Sequence, residues 1–279
     1  MYELENQSAS SIYRSGTALS ITSPQLTMPR YFIEVAYQGT RYSGFQVQQN
    51  ANSVQEEVEK AFAIYYRHQV ALTGSSRTDA GVHALGNFFH ADLQTLARAE
   101  DLYRLNAILP PDIVLIRLYL VPQNAHCRYD AHFREYSYFI YQQKDPFLRD
   151  RAYYYPFPLD FAALHSTAEI ISRHVHFGSF AKRNSQAKTF NCQILASSWV
   201  KTDKCLVYQV KANRFLRGMV RGLVGTMLLA GRGKISLDEF ENIISAQESS
   251  RTDFSVPGHA LFLVKIGYPL SLTANPIPG

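Results

Sequence analysis

The sequence predicts an α+β fold in which one order of elements, β-α-β-β-α-β, occurs twice and builds a continuous, mainly antiparallel sheet. Short apolar runs typical of strands alternate with longer segments whose apolar residues recur every three to four positions, as on one face of a helix. Apolar residues make up 46% of the 279 residues and charged residues 18%. This composition supplies enough apolar material for a large core and argues against a disordered chain.

The first set of elements begins after residue 30. Ser53 and Glu56 have the spacing of a capping box, in which each side chain satisfies a backbone amide at a helix start. Pro110 and Pro111 end the second helix, because proline lacks the amide hydrogen that a helix needs. The predicted elements are strands over 31–37, 70–73, 87–93 and 113–120, a helix from 54, and a helix over 96–108.

The second set follows the same order. Ser236 and Glu239 form a second capping-box pattern, which opens a short extra helix. Gly218, Gly222 and Gly225 leave the preceding helix bare enough to pack closely against another element. The predicted elements are strands over 133–142, 192–200, 205–212 and 261–266, and helices over 159–173 and 214–230.

Each set has the order of a ferredoxin-like, or RRM-like, unit. We place the N-terminal half at 29–125, the C-terminal half at 126–268, and a tail at 269–279. Pairing of their edge strands produces one sheet, for which we expect helices on one face, a groove on the other and a central cleft. Residues 1–28 are polar and lack apolar periodicity, which indicates a disordered leader or sequence upstream of a true start at Met28.

Several protein classes are disfavoured by the sequence. The longest apolar stretch, 223–230, is too short to span a bilayer, and the N-terminus lacks the pattern of a secretory signal. The three cysteines, Cys127, Cys192 and Cys205, have no disulfide-framework or zinc spacing, and the histidines are scattered. We therefore expect a reduced, cytoplasmic protein without a metal.

Positive charge is concentrated in one part of the chain. Residues 170–237 contain twelve lysines and arginines and one acid, Asp203, a net charge of +11. The whole chain carries +5, so the remaining residues sum to −6. A basic segment in an otherwise acidic protein indicates a polyanionic partner such as nucleic acid, with a solvated surface as the alternative.

The densest group of chemically capable residues lies between two predicted strands, in the segment 75–84. It brings Arg77, Asp79 and His83 close together around Gly81, which permits a tight turn. A carboxylate beside a guanidinium stays ionised and is able to act as a nucleophile in a dry pocket. The alternative is an Asx turn, with the Asp79 side chain bonded to nearby backbone amides.

These residues also carry a resemblance. The segment Arg77–Ala84 reads RTDAGVHA, which resembles the central motif of the bacterial tRNA pseudouridine synthase A family. The resemblance extends over about residues 30–268, with the motifs in the family's order. The other matching segments are 34–46 (EVAYQGTRYSGFQ), 53–56 (SVQE), 105–110 (LNAILP), 134–138 (REYSY), 213–221 (NRFLRGMVR) and 261–263 (LFL).

The resemblance implies a pseudouridine synthase fold and the isomerisation of uridine to pseudouridine at positions 38, 39 and 40 of the tRNA anticodon stem-loop. It also implies a homodimer, and neither a metal nor an organic cofactor. By resemblance Asp79 is the nucleophile, Arg221 pairs with it from the helix over 214–230, and Tyr136 stacks on the flipped base. Leu261 forms an apolar wall for the uracil, and Arg77 enters the helix or holds the vacated space.

The basic residues are assigned to RNA contact. On an unbroken helix over 214–230, Arg217 and Arg221 share a face because they are four residues apart. Two other functions remain open: a non-catalytic RNA-binding protein on the same fold, and a metal-dependent RNA hydrolase, which needs a cluster of carboxylates or histidines. We expect the tRNA backbone to contact Arg128, Lys182, Arg183, Lys188 and Arg217.

Overall fold

The protein is described here by a computed structural model that covers residues 28–182 and 187–277. The leader expected over residues 1–28 therefore lies, except for Met28, outside the described residues. The described part forms ten strands in one sheet and six α-helices. None of these helices has the length and apolar character needed to cross a membrane.

The first half contains the expected elements with three changes, one of which is that the third strand begins at His83 rather than at 87. The second strand is reduced to two residues, and the second helix begins at Ala99 rather than at 96. The elements are β1 (Arg30–Tyr37), α1 (Val54–Tyr66), β2 (Thr73–Gly74), β3 (His83–Asp92), α2 (Ala99–Ile108) and β4 (Ile113–Val121).

The second half contains the predicted strands and helices and one short addition, β6, and the tail after residue 268 adds α6 and β10. Its elements are β5 (Phe133–Tyr141), β6 (Tyr153–Tyr154), α3 (Phe161–Arg173), β7 (Ile194–Lys201), β8 (Leu206–Ala212), α4 (Met219–Gly231), α5 (Leu237–Ser245), β9 (Leu261–Gly267), α6 (Leu270–Thr273) and β10 (Pro276–Ile277).

The sheet has the strand order β10-β4-β1-β3-β9-β5-β8-β7, with β2 on β3 and β6 on β5. Both halves follow the ferredoxin-like order of fourth, first, third and second strand, as β4-β1-β3-β2 and β9-β5-β8-β7. All described pairs are antiparallel except β3 with β9 and β5 with β6. The predicted continuous, mainly antiparallel α+β sheet is therefore confirmed, whereas the boundary between halves at 125/126 stays a prediction.

The seam between the halves is the parallel pairing of β3 with β9. His83 pairs with Phe262 and Ala84 with Leu263, at the beginning of β3. β2 occupies only the other end of β3, where Thr73 pairs with His90. Because β2 is so short, it leaves the beginning of β3 available to β9 of the other half.

The predicted helix starts differ in their outcome. At α5 both halves of the capping box form, between Ser236 and Glu239. At α1 only Ser53 takes part, accepting a hydrogen bond from the Glu56 amide. The Glu56 carboxylate instead lies 2.9 Å from Lys60 Nζ, so the reciprocal half of the predicted box is wrong.

Helix α4 begins at Met219, five residues later than predicted. Gly218 precedes the helix with a φ of +73°. This left-handed conformation suits glycine and keeps the residues before Met219 out of the helix. Within α4, a Cβ at position 225 would lie 2.2 Å from the Asp253 carbonyl oxygen. The expectation that these glycines permit close packing is confirmed, and the neighbouring element is the segment 252–256.

Candidate active site

The acid and the guanidinium that the motifs singled out meet in the fold, although they are 142 residues apart in sequence. Arg221 Nη1 lies 3.4 Å from Asp79 Oδ2, and the two side chains are 21% and 27% exposed. The pair is thus partly shielded but open to a molecule arriving from solvent. Arg221 is the single hydrogen-bond donor to the Asp79 carboxylate within the described residues, so Oδ1 is left for a substrate.

Arg221 is fixed from its other side by the backbone of the segment 252–256. Its Nε donates to the Val256 carbonyl at 2.9 Å, and Nη2 donates to the Phe254 carbonyl at 3.5 Å. The close approach at Gly222 and Gly225 brings this segment onto α4. The guanidinium is therefore held in one orientation, with one nitrogen directed at Asp79.

The loop that carries Asp79 is anchored to the first half by buried polar contacts. The Thr78 and Tyr37 hydroxyls are 2.8 Å apart, and Asn87 Nδ2 donates to the Ser76 carbonyl at 2.9 Å. The Thr78 carbonyl accepts from the Phe45 amide at 3.1 Å. The loop conformation thus depends on backbone and neighbour contacts; the Asp79 side chain does not form the Asx turn considered as an alternative.

The turn predicted at Gly81 is present, with a φ of +78°. After it, His83 connects three segments: Nδ1 accepts from the Gly39 amide at 3.1 Å, so Nε2 carries the hydrogen and faces the carbonyls of Asp150 and His259 at 3.0 and 2.9 Å. Its ring stacks on Phe262 with centroids 4.5 Å apart. Burial lowers the His83 pKa, which favours the neutral imidazole of a structural residue.

Tyr136, on β5, lies beside the pair of Asp79 and Arg221. It is buried, and its ring packs edge-to-face on Phe215 with centroids 5.1 Å apart. Burial, reinforced by the Asp79 charge, raises the Tyr136 pKa to about 12. In the part of the chain that the structure covers, its hydroxyl has no hydrogen-bond partner, so a protonated phenol is available to a ligand.

Leu261 is placed on the same side of the sheet. It pairs with Tyr138 across β9 and β5, and Tyr136 and Tyr138 share a face because they are two residues apart. The Tyr138 hydroxyl donates to the Pro257 carbonyl at 2.9 Å, next to the Val256 carbonyl that Arg221 binds. The site therefore lies beside Arg221 of α4 and the segment 252–256, whereas the expectation of a groove on the face opposite the helices stays a prediction. The helices of each half pack together, α1 with α2 and α3 with α4.

The other predicted contacts lie at the surface. Arg77 is exposed and makes no hydrogen bond with any residue in 28–182 or 187–277. Arg217 is exposed and precedes Gly218, outside α4. The prediction that Arg217 and Arg221 share a helix face is wrong, because the left-handed Gly218 separates the two. Lys182, Lys188 and Arg128 are also exposed, whereas Arg183 lies outside the described residues.

Sequence reasoning missed Arg134 as a residue that organises the site. Its guanidinium donates to the carbonyls of Arg128, Ala131 and Asn213 at 2.7, 3.1 and 3.0 Å. Its Nε lies 3.4 Å from Ser76 Oγ, at the start of the Asp79 loop. The spacing of two residues from Tyr136 was a usable signal, because it places both side chains on one face of β5.

One cluster of side chains brings together residues whose spacing in the sequence is not that of a metal site. His90, His126 and Cys127 offer ligand atoms that all lie within 4.8 Å of one another. Local spacing does not indicate this group, because His90 is contributed by a strand and the other two residues by a distant loop.

Comparison with known proteins identifies the family of the chain. The sequence model of the tRNA pseudouridine synthase family matches residues 33–130 and 174–269. The tRNA pseudouridine synthase A of Porphyromonas gingivalis is 44% identical over 250 residues, covering 88% of this chain and 99% of that protein. The protein of the same name from Bacillus subtilis is 34% identical over 239 residues, covering 84% of this chain and 97% of that protein. The chain belongs to the tRNA pseudouridine synthase family.

Proposed function

We propose that this isomerase converts uridine to pseudouridine at positions 38, 39 and 40 in the anticodon stem-loop of tRNAs, with Asp79 as the nucleophile. The observation that supports this most directly is the Asp79 carboxylate, which is held by Arg221 and keeps one oxygen free. Family membership supports the uridine chemistry in tRNA.

The isomerisation needs one nucleophile and balanced proton transfer. The bond from C1′ to N1 of uracil breaks, a bond from C1′ to C5 forms, the C5 proton leaves, and N1 gains a proton. The Asp79 carboxylate adds either to C6 of the ring or to C1′, and both routes regenerate it. Because the product has the same atoms and oxidation state as the substrate, the reaction requires no redox cofactor.

Tyr136, Leu261 and Arg77 complete the proposed site. Tyr136 stacks against the flipped base, and its phenol is placed to move a proton at the sugar or the ring. Leu261 supplies an apolar wall for the uracil. Arg77 is free to enter the RNA helix or to hold the vacated space, which helps to offset the few kcal/mol that base flipping costs.

The basic segment 170–237 accounts for binding to the tRNA backbone. Lys182, Lys188, Arg217 and Arg128 are exposed and available for phosphate contact. We further propose a cytoplasmic homodimer, because tRNA is long relative to one 31.7 kDa subunit and the surfaces of two subunits give it a longer track.

The test is pseudouridine mapping on unmodified tRNA transcripts, comparing wild type, Asp79→Asn and Asp203→Asn, each without EDTA and with EDTA added at the start of the reaction. Asp203 is an exposed acid of the basic segment and serves as the control for loss of one carboxylate. We expect pseudouridine at positions 38–40 with wild type and Asp203→Asn, and none with Asp79→Asn.

Three other outcomes would contradict the proposal. Binding of tRNA without product from any protein indicates a non-catalytic RNA-binding protein. Cleavage of the transcript that EDTA abolishes indicates a metal-dependent hydrolase. Equal product from wild type and Asp79→Asn places the chemistry at another residue.

A further inference from the structure

A second group of reactive side chains lies away from Asp79, where the connection between the two halves crosses the sheet. His90 comes from β3, and His126 and Cys127 come from the loop between β4 and β5. His90 Nδ1 lies 3.2 Å from Cys127 Sγ, and the rings of His90 and His126 have centroids 4.6 Å apart. We call these three residues the linker cluster.

The donor atoms of the linker cluster match the preferences of zinc. Two imidazole nitrogens and one thiolate are frequent zinc ligands, with bonds of about 2.0–2.1 Å for nitrogen and about 2.3 Å for sulfur. Ligand atoms that already lie within 4.8 Å of one another need to move by only about 1 Å to reach this geometry. Cys127 is fully buried and His90 is 8% exposed, whereas His126 is half-buried and leaves a route for the ion.

The charges around the linker cluster do not oppose a cation strongly. Arg30 is a cation whose charge acts on His90, but both oxygens of Asp92 pair with it at 2.7 and 2.8 Å. On the other side, Asp130 Oδ2 accepts from the His126 amide at 2.8 Å and places a carboxylate beside the cluster. The Arg134 guanidinium is engaged in hydrogen bonds to three carbonyl oxygens near Ser76.

We propose that His90, His126 and Cys127 form a structural binding site for one thiophilic divalent cation, with Zn²⁺ as the best match and solvent as the fourth ligand. On binding, the Cys127 thiol loses its proton to solvent and the sulfur becomes a thiolate ligand. The cation takes no part in the isomerisation.

The cation would fasten the connection between the halves to the sheet. The Cys127 carbonyl accepts hydrogen bonds from the Ser75 hydroxyl at 2.8 Å and from the Tyr268 hydroxyl. Ser75 begins the loop that leads to Asp79, and Tyr268 follows β9. Fixing Cys127 therefore stabilises both segments that flank the seam.

The simpler alternative is a buried thiol without a metal. In that case Cys127 Sγ donates to the Thr73 carbonyl, which lies 3.2 Å away, and the two histidines are packing residues. The alternative predicts no stoichiometric binding of a thiophilic ion, so the two interpretations are separable by metal titration.

The experiment titrates the full chain, freed of any affinity tag and of metal, with Co²⁺ and then with Zn²⁺. We expect one Co²⁺ per chain, with a thiolate-to-cobalt charge-transfer absorption that one equivalent of Zn²⁺ removes. Zn²⁺ at about 100-fold excess over its Kd should raise the Tm by about 5–10 °C. Cys127→Ala should abolish the absorption and the Tm shift, whereas Cys205→Ala, which removes another buried thiol, should keep both.

Two results would overturn the proposal: no charge-transfer absorption in wild type, or equal binding by Cys127→Ala. If Cys127→Ala does not fold, His126→Asn carries the test, because that ring is half-buried and its removal leaves the backbone contacts of Cys127 intact. The readout is metal binding and stability, so the result is independent of whether Asp79 proves to be the nucleophile.

Discussion

The two halves of the sheet have the same strand order but make different contributions to the site. In the first half the second strand, β2, has two residues, and the chain that follows becomes the loop carrying Asp79. In the second half the corresponding strand, β7, has eight residues and forms a long hairpin with β8, with one register shift between Ile194 and Ala196. Because β2 is short, the first half has both a loop that carries Asp79 and a stretch of β3 that is free to pair with β9 and so to join the halves.

The two halves also supply different charged groups to the site. The first half supplies the carboxylate of the pair, and the second half supplies Arg221, Tyr136 and most of the basic surface. The candidate site exists only where the halves meet. Substitutions in the two halves, each compared with a control substitution of the same residue type, test what each half contributes to the site.

The largest effect in these pairs is expected at Arg221. Arg221→Ala removes the group that orients Asp79 and should lower kcat about 10³-fold, in the range found for loss of one preorganised electrostatic partner. Arg217→Ala, four residues earlier and exposed, should raise KM for tRNA a few-fold with kcat unchanged. Single-turnover rates and KM values measure both. Equal losses of kcat in the two variants would mean that the pairing with Asp79 has no catalytic role.

A smaller effect separates two tyrosines on one face of β5. Tyr136→Phe should lower kcat about 100-fold, as expected for loss of a proton-transfer group, with little change in Tm. Tyr138→Phe loses the hydrogen bond to Pro257 and should cost about 1 kcal/mol of unfolding free energy with kcat nearly unchanged. Thermal unfolding beside activity assays distinguishes them, and a stability loss alone in Tyr136→Phe would make Tyr136 a core residue.

The raised pKa of Tyr136 predicts the direction in which the stability contributed by its phenol changes with pH. The folded value is about 12 and the unfolded value about 10, so the stability from the neutral phenol is complete below pH 10 and is lost as the pH rises towards 12. The ratio of wild-type to Tyr136→Phe rates should therefore be constant from pH 7 to 9. A ratio that falls across this range would show that the phenol ionises at a much lower pH.

The smallest effect concerns the basic surface. The double substitution of Lys182 and Lys188 by Ala should reduce the slope of log affinity for tRNA against log salt by about 1.4–1.8, at roughly 0.7–0.9 for each lost phosphate contact. Lys60→Ala in the first half, where the ammonium is paired with Glu56 and Glu57, should leave the slope unchanged. Equal slopes for all three proteins would place the tRNA elsewhere.

Local sequence signals predicted most of the fold, since strand periodicity and caps act within a few residues. They failed where a distant contact decides the conformation. The helix over 214–230 was placed too early, because the backbone after Asn213 is fixed by tertiary contacts such as the Lys182 amide on the Arg217 carbonyl, 2.9 Å away. Strand β10 pairs with β4 through two residues, too few for any periodicity.

The candidate site divides along the same line. The motif around Asp79 was readable because its residues are contiguous, and the pairing with Arg221 followed from resemblance. The anchoring of the loop by Asn87 and Tyr37, the four contacts of Arg134 and the linker cluster were not readable. Each includes a contact between segments that lie far apart in the sequence, and such proximity is set by the tertiary fold and leaves no mark on spacing.

The parallel pairing of β3 with β9 also has a consequence for biosynthesis. The first half can pair its own strands while the ribosome is still translating the second, but β9 leaves the exit tunnel among the last segments of the chain. Contacts between segments so far apart form slowly, because a long loop must close before they contribute stability. We therefore expect the first half to fold on the nascent chain before the second half is complete. This half contains few of the basic residues and is chemically inert towards RNA. Catalytic competence would then arise in one late step, when β9 docks and carries the segment 252–256 and Arg221 to Asp79.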